Sequence, residues 1–201
     1  MRALLAAGLF AASLLGTAEA ADLSSVFLVQ DFTANPGADP GQCNGANFGR
    51  IVSPAGEWSP AIRLDTDSRG GGCLHQFAIV DLDRRITGLM IWVNFFGDGD
   101  AAQCGNPGNR VIPVRKRFDS LLFTQPMSID TDNRGGGCQE TWSVTGRNDV
   151  RLEIDFQPDG DPGQCGNAGT HLVTPGNPVT ITLDMDDRGG GCQQRFRLLS
   201  Q

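Results

Sequence analysis

One nine-residue string constrains this chain more than any other feature. It reads Asp65-Thr66-Asp67-Ser68-Arg69-Gly70-Gly71-Gly72-Cys73. It returns as Asp130-Thr131-Asp132-Asn133-Arg134-Gly135-Gly136-Gly137-Cys138, and again as Asp184-Met185-Asp186-Asp187-Arg188-Gly189-Gly190-Gly191-Cys192. Asp, Asp, Arg, three glycines and Cys keep the same offsets. A second stretch keeps step with it: Cys43, Cys104 and Cys165 stand 61 residues apart, each four residues after an aspartate (Asp39, Asp100, Asp161). A period of this length marks a repeat architecture, in which one supersecondary unit is built several times over.

Each unit carries four short segments rich in β-branched and aromatic residues, separated by Gly, Pro and Asp clusters. In the third unit these are Val150–Phe156, Thr170–Val173, Pro178–Leu183 and Cys192–Leu199. No segment sustains a 3.6-residue period. The expected fold is therefore all-β, with twelve strands in one domain over residues 21–201 and repeats at about 21–83, 84–147 and 148–201. A β-trefoil is the favoured arrangement and a β-prism the alternative. Gln194-Arg195-Phe196 is similar to the Q-x-W/F turn of trefoil lectins. Leu74-His75-Gln76-Phe77 and Gln139-Glu140-Thr141-Trp142 set Gln elsewhere, which leaves an analogy of fold only.

Residues 1–20 have a charged start, an apolar run from Ala3 to Leu15 and an Ala18-Glu19-Ala20 cleavage pattern, the form of a secretory signal peptide. The expected location is secreted or periplasmic, without membrane insertion. Six cysteines in an exported chain favour three disulfides. The repeat makes Cys43–Cys73, Cys104–Cys138 and Cys165–Cys192 the simplest pairing. A net charge of −7 does not suit tracking nucleic-acid phosphates, and Arg115-Lys116-Arg117 is the one basic cluster.

The repeated loops hold the candidate ligand-binding residues: Asp65, Asp67, Arg69; Asp130, Asp132, Arg134; Asp184, Asp186, Arg188; and, from the second stretch, Asp39, Asp100 and Asp161. Strand alternation turns each Asp pair outward if Leu64, Ile129 and Leu183 point inward. Carboxylates, guanidinium and glycine-rich backbone N–H groups supply the donors and acceptors that sugar hydroxyls need. Asp-x-Asp-x-x-Gly also begins an EF-hand loop, but Arg fills the fifth position and no Glu stands at the twelfth, so Ca²⁺ is the weaker reading and no other cofactor is indicated. Trp58 beside a turn is the candidate sugar platform; Trp92 and Trp142 are expected in the core. Paired carboxylates could serve glycoside hydrolysis, yet a catalytic pair is seldom triplicated, and His75 and His171 occupy different places in their repeats.

The expected function is thus non-catalytic glycan or cell-surface polysaccharide binding, with up to three equivalent sites. The alternative is a structural or adhesive envelope protein in which the loops are scaffold.

Overall fold

The computed structural model describes residues 20–34, 49–64, 73–97, 104–129, 138–158, 163, 165–183 and 192–201. These residues form an all-β structure with several sheets that stay open rather than closing into a barrel. A 3-10 turn at Phe118–Ser120 is the helical element among them.

The first sheet runs in the order β2 (Gly49–Pro54), β1 (Val26–Ala34), β4 (Cys73–Asp81). The second runs β6 (Gly108–Val111), β5 (Met90–Gly97), β9 (Cys138–Thr145), β12 (Val179–Leu183). The third runs β11 (Gly169–Val173), β10 (Val150–Pro158), β13 (Cys192–Ser200), β3 (Ile62–Leu64). The first sheet is completed by β8 (Met127–Ile129), antiparallel to the start of β4. In all three sheets the short last strand thus comes from a different repeat. Leu64 pairs with Cys192, Ile129 with Cys73, and Leu183 with Cys138.

The favoured β-trefoil requires a closed barrel layer. Open sheets do not provide one, and the reason lies in this exchange. The third strand of each repeat leaves the sheet of its own repeat and extends another, so it does not fold back as a hairpin.

Thirteen strands are found among the described residues, where twelve were expected. The segment from Gly108 to Arg115 splits at Ile112-Pro113. Its first part pairs antiparallel with β5, and β7 (Val114–Arg115) pairs parallel with β4. Proline has no N–H to continue a ladder, while its carbonyl accepts from Ile79 N at 2.9 Å.

The following segment crosses the outer face of the first sheet. Leu121 and Phe123 pack on Val29, Ala78 and Val80. Thr124 fastens the segment: its backbone N donates to Phe77 O at 2.9 Å, and Phe77 N donates to its Oγ1 at 3.1 Å. Both faces of β4 are therefore covered near its end, and its in–out alternation gives way to continuous burial from Phe77 to Asp81.

The inner faces meet at the centre. Phe77, Trp142 and Phe196, each four residues after the cysteine of its motif, are fully buried. Their ring centroids lie 4.9–5.2 Å apart in mutual contact. Ile79, Val144 and Leu198 follow two residues further, also buried. β4, β9 and β13, one from each sheet, thus turn their inner faces toward one another at the centre.

Phe32, Phe95 and Phe156 occupy a matching position on the other long strands, opposite Gly49, Gly108 and Gly169. All three glycines have positive φ, at 102°, 142° and 141°. A side chain would be strained there.

Candidate functional site

The described residues that flank the repeated segments are cross-strand neighbours in each sheet. In the first sheet, Ala34 enters the 35–48 loop, Cys73 leaves the 65–72 loop, and Ile129 enters the 130–137 loop; all three are cross-strand neighbours. Gly97, Cys138 and Leu183 repeat this in the second sheet, and Pro158, Cys192 and Leu64 in the third. Each Asp-x-Asp-x-Arg-Gly-Gly-Gly segment therefore connects two different sheets. Leu64, Ile129 and Leu183 are buried, as the alternation argument requires. The twelve candidate residues themselves (Asp39, Asp65, Asp67, Arg69, Asp100, Asp130, Asp132, Arg134, Asp161, Asp184, Asp186 and Arg188) lie outside the described residues, and the Ca²⁺ reading lies there with them.

Disulfides close the base of the loops. Cys104–Cys138 and Cys165–Cys192 have Cα separations of 5.6 and 5.8 Å. Cys73 is also disulfide-bonded, and its expected partner, Cys43, lies outside the described residues. Two such bridges fit an oxidising extracellular or periplasmic compartment. No helix among the described residues is long and apolar enough to cross a membrane.

Next to the motif cysteines sits a polar layer that the sequence reading missed. His75, Glu140 and Gln194 each stand two residues after a motif cysteine, and each is fully buried. Glu140 Oε2 accepts from Trp142 Nε1 and from Gln194 Nε2, both at 3.0 Å. His75 Nε2 lies 3.1 Å from Oε1 of the buried Gln30. Gln30 Nε2, His75 Nδ1, Glu140 Oε1 and Gln194 Oε1 find no hydrogen-bond partner among the described residues.

Burial raises the Glu140 carboxyl to about 7, against the opposing pull of the Trp142 and Gln194 hydrogen bonds and the Arg110 charge. Burial alone lowers His75 to about 3. His75 is therefore neutral near neutrality, while Glu140 is poised there between its neutral and charged forms. Sequence alignment puts these three positions in register but gives them different chemistry, which made them look unrelated. The available signal was their place on the inward side of strand four, between the cysteine and the central aromatic. No group of three or more His, Cys, Asp or Glu placed to hold a metal occurs among the described residues.

The outer faces of the three sheets differ. The first is covered by the segment after β7. The third carries a ladder of ion pairs: Arg195 Nε bonds Asp155 Oδ2 at 2.7 Å, and Arg197 Nε bonds Glu153 Oε2 at 3.0 Å. Asp155 also accepts from Gln157 Nε2 and Thr170 Oγ1, both at 2.8 Å. Burial works against its charged form, but these three hydrogen bonds outweigh it and hold the carboxyl below the usual range.

Trp58, the expected platform, lies under both guanidiniums, 4.5 Å from that of Arg197 and 5.1 Å from that of Arg195. Its ring is engaged by cation–π contacts. Trp142 is in the core as expected. Trp92 is not. It alternates outward between the buried Ile91 and Val93 and lines a groove of about 470 Å³ on the second sheet. Trp92 read as core because a half-buried Trp in the middle of the apolar run Leu89–Phe95 hides the period of two.

Compared with known protein families, curated proteins and solved structures, the chain matches none.

Proposed function

We propose that this chain is a secreted or periplasmic glycan-binding protein without catalytic activity, whose principal binding end is the one that gathers the Asp-x-Asp-x-Arg-Gly-Gly-Gly loops. The observation that carries the reading is the exchange of short strands between sheets. It sets the start of each motif beside the end of another, at Leu64–Cys192, Ile129–Cys73 and Leu183–Cys138. The described residues that flank the Asp/Arg segments and the Asp-bearing segments are thereby cross-strand neighbours in each sheet, with disulfides at Cys104–Cys138 and Cys165–Cys192. Repeated weak sites on one face bind a repetitive polymer by avidity.

The same exchange favours a β-prism-like triangle of three sheets around a pseudo-threefold axis. Phe77, Trp142 and Phe196 are the central layer of that axis.

The test is a glycan array probed with the mature protein, with and without EDTA. Asp67→Asn, Asp132→Asn and Asp186→Asn are compared singly and together. Stepwise loss of binding with each added substitution is the expected result. Binding to no glycan at all, with the fold intact by circular dichroism, returns the loops to a scaffold role.

A further inference from the structure

We propose that the outer face of the second sheet is a separate saccharide site, which takes a neutral sugar ring on Trp92. The proposal rests on the glycan-binding reading and assigns it a location away from the repeated loops.

Strand register sets two rows of side chains on this face. Asn109, Asn94, Thr141 and Thr180 form one row across β6, β5, β9 and β12. Val111, Trp92 and Ser143 form the next. Neighbours within a row are ~4.8 Å apart and the rows are ~7 Å apart, from ordinary strand geometry. A pyranose ring is about the size of that interval. One face of such a ring is apolar C–H, which the indole can cover, and its rim is hydroxyl. The rim would fall over the amides of Asn94 and Asn109 and the hydroxyls of Thr141 and Ser143. Amides and hydroxyls both donate and accept, which suits adjacent sugar hydroxyls.

The groove of about 470 Å³ is lined by Trp92, Asn94, Asn109, Thr141 and Ser143, closed off by Thr145 and Pro178. Among the described residues, no hydrogen bond occupies the side chains of Trp92, Asn94, Asn109 or Ser143. Among the described residues, no charged side chain lines the groove, so they offer an acidic or cationic ligand no counter-charge. A few placed polar groups around an aromatic surface is the usual make-up of a small-molecule site.

The matching positions on the other two sheets explain why only this face is proposed. Val29 and Ala78 stand where Trp92 and Ser143 do, beneath Leu121 and Phe123. Glu153 and Arg197 stand there in the third sheet, bonded to each other.

The experiment uses the mature chain on an array of neutral glucans, mannans, xylans and chitooligosaccharides. Oligosaccharides retained on the array are then titrated in solution by intrinsic fluorescence. Trp92→Ala should weaken binding at least tenfold and abolish the ligand-dependent fluorescence change. Asn94→Ala should weaken it several-fold with the thermal midpoint unchanged, which covers the case in which Trp92→Ala perturbs folding. Full binding by both variants, with loss on substitution of the loop aspartates, overturns this site and leaves the glycan reading standing. Binding to no neutral glycan overturns this site, and binding to no glycan of any charge overturns the glycan reading as well.

Discussion

Replacing Glu140 by Gln should make the protein more stable at pH 8 and not at pH 4.5. The carboxyl is raised from 4.5 to about 7 by burial. Its proton is therefore held by the folded chain over a range in which the unfolded chain has released it. A raised acid contributes stability that is complete below about pH 4.5 and is lost as pH climbs through about 7. At 1.36 kcal/mol per pH unit, the loss is about 3 kcal/mol.

His75 works in the opposite sense. Lowered from 6.5 to about 3 by burial, it contributes stability that is complete above about pH 6.5 and is lost as pH falls through about 3. Between pH 4.5 and 6.5 the two slopes cancel, so the wild-type protein should be nearly insensitive to pH there. Gln keeps the side-chain shape and an acceptor for Trp142 Nε1 and Gln194 Nε2, and it removes one of the two slopes. The gap in unfolding free energy between variant and wild type should widen by about 3 kcal/mol from pH 4.5 to pH 8. For a chain of this size that is ~6–12 °C in thermal midpoint.

The assay is urea unfolding at pH 4.5, 6 and 8 with the disulfides intact, followed by tryptophan fluorescence. The change of the gap with pH is the diagnostic, because a fixed offset only reports packing. A gap that does not move with pH would refute the reasoning.

Trp142→Ala removes the largest of the three central rings and should cost ~3–5 kcal/mol in the same unfolding assay, and a loss under 1 kcal/mol would contradict a packed centre. Gly146 has φ +87°, and a Cβ there would lie 2.0 Å from Gly88 O. Gly146→Ala should therefore destabilise by on the order of 2 kcal/mol or more; a neutral result would mean that this turn shifts freely. The Cys104–Cys138 bridge spans 34 residues. Replacing both cysteines with Ala should cost about 4 kcal/mol in the chain-entropy model, measured at pH 7 against the intact protein.

The strands were legible in the sequence wherever one face alone is buried. Val150 to Phe156 alternates Val, Leu, Ile, Phe with Arg, Glu, Asp, and the structure buries that apolar set. The period of 61 located the units, and the even spacing of cysteines identified Cys104–Cys138 and Cys165–Cys192. What stayed hidden depends on contacts between repeats. Leu64, Ile129 and Leu183 look the same whether their strands pair within a repeat or across to another, so strand exchange leaves no local mark. The segment that covers the first sheet was equally hidden, because nothing around Leu121 and Phe123 in the sequence shows which surface they cover. Burial at His75 and Glu140 is likewise a property of three strands meeting, not of either residue's neighbours in the chain.

The inner and outer sides of the sheets also make different demands on valency. Inside, the three repeats must supply one ring each to a shared centre, so Phe77, Trp142 and Phe196 remain alike in size and kind. Outside, each sheet stands alone. One face is covered by Leu121 and Phe123, one is closed by Asp155–Arg195 and Glu153–Arg197, and one is left open around Trp92. A ligand held on Trp92 must therefore bind once per chain, whereas a ligand held by the repeated loops can bind up to three times. Isothermal titration of a short oligosaccharide, too small to bridge sites, separates the two. A stoichiometry of one that is lost with Trp92→Ala assigns it to the second sheet. A stoichiometry near three that falls by one with each of Asp67→Asn, Asp132→Asn and Asp186→Asn assigns it to the loops. A single site indifferent to Trp92 would contradict the outer-face assignment even if the protein binds glycans tightly.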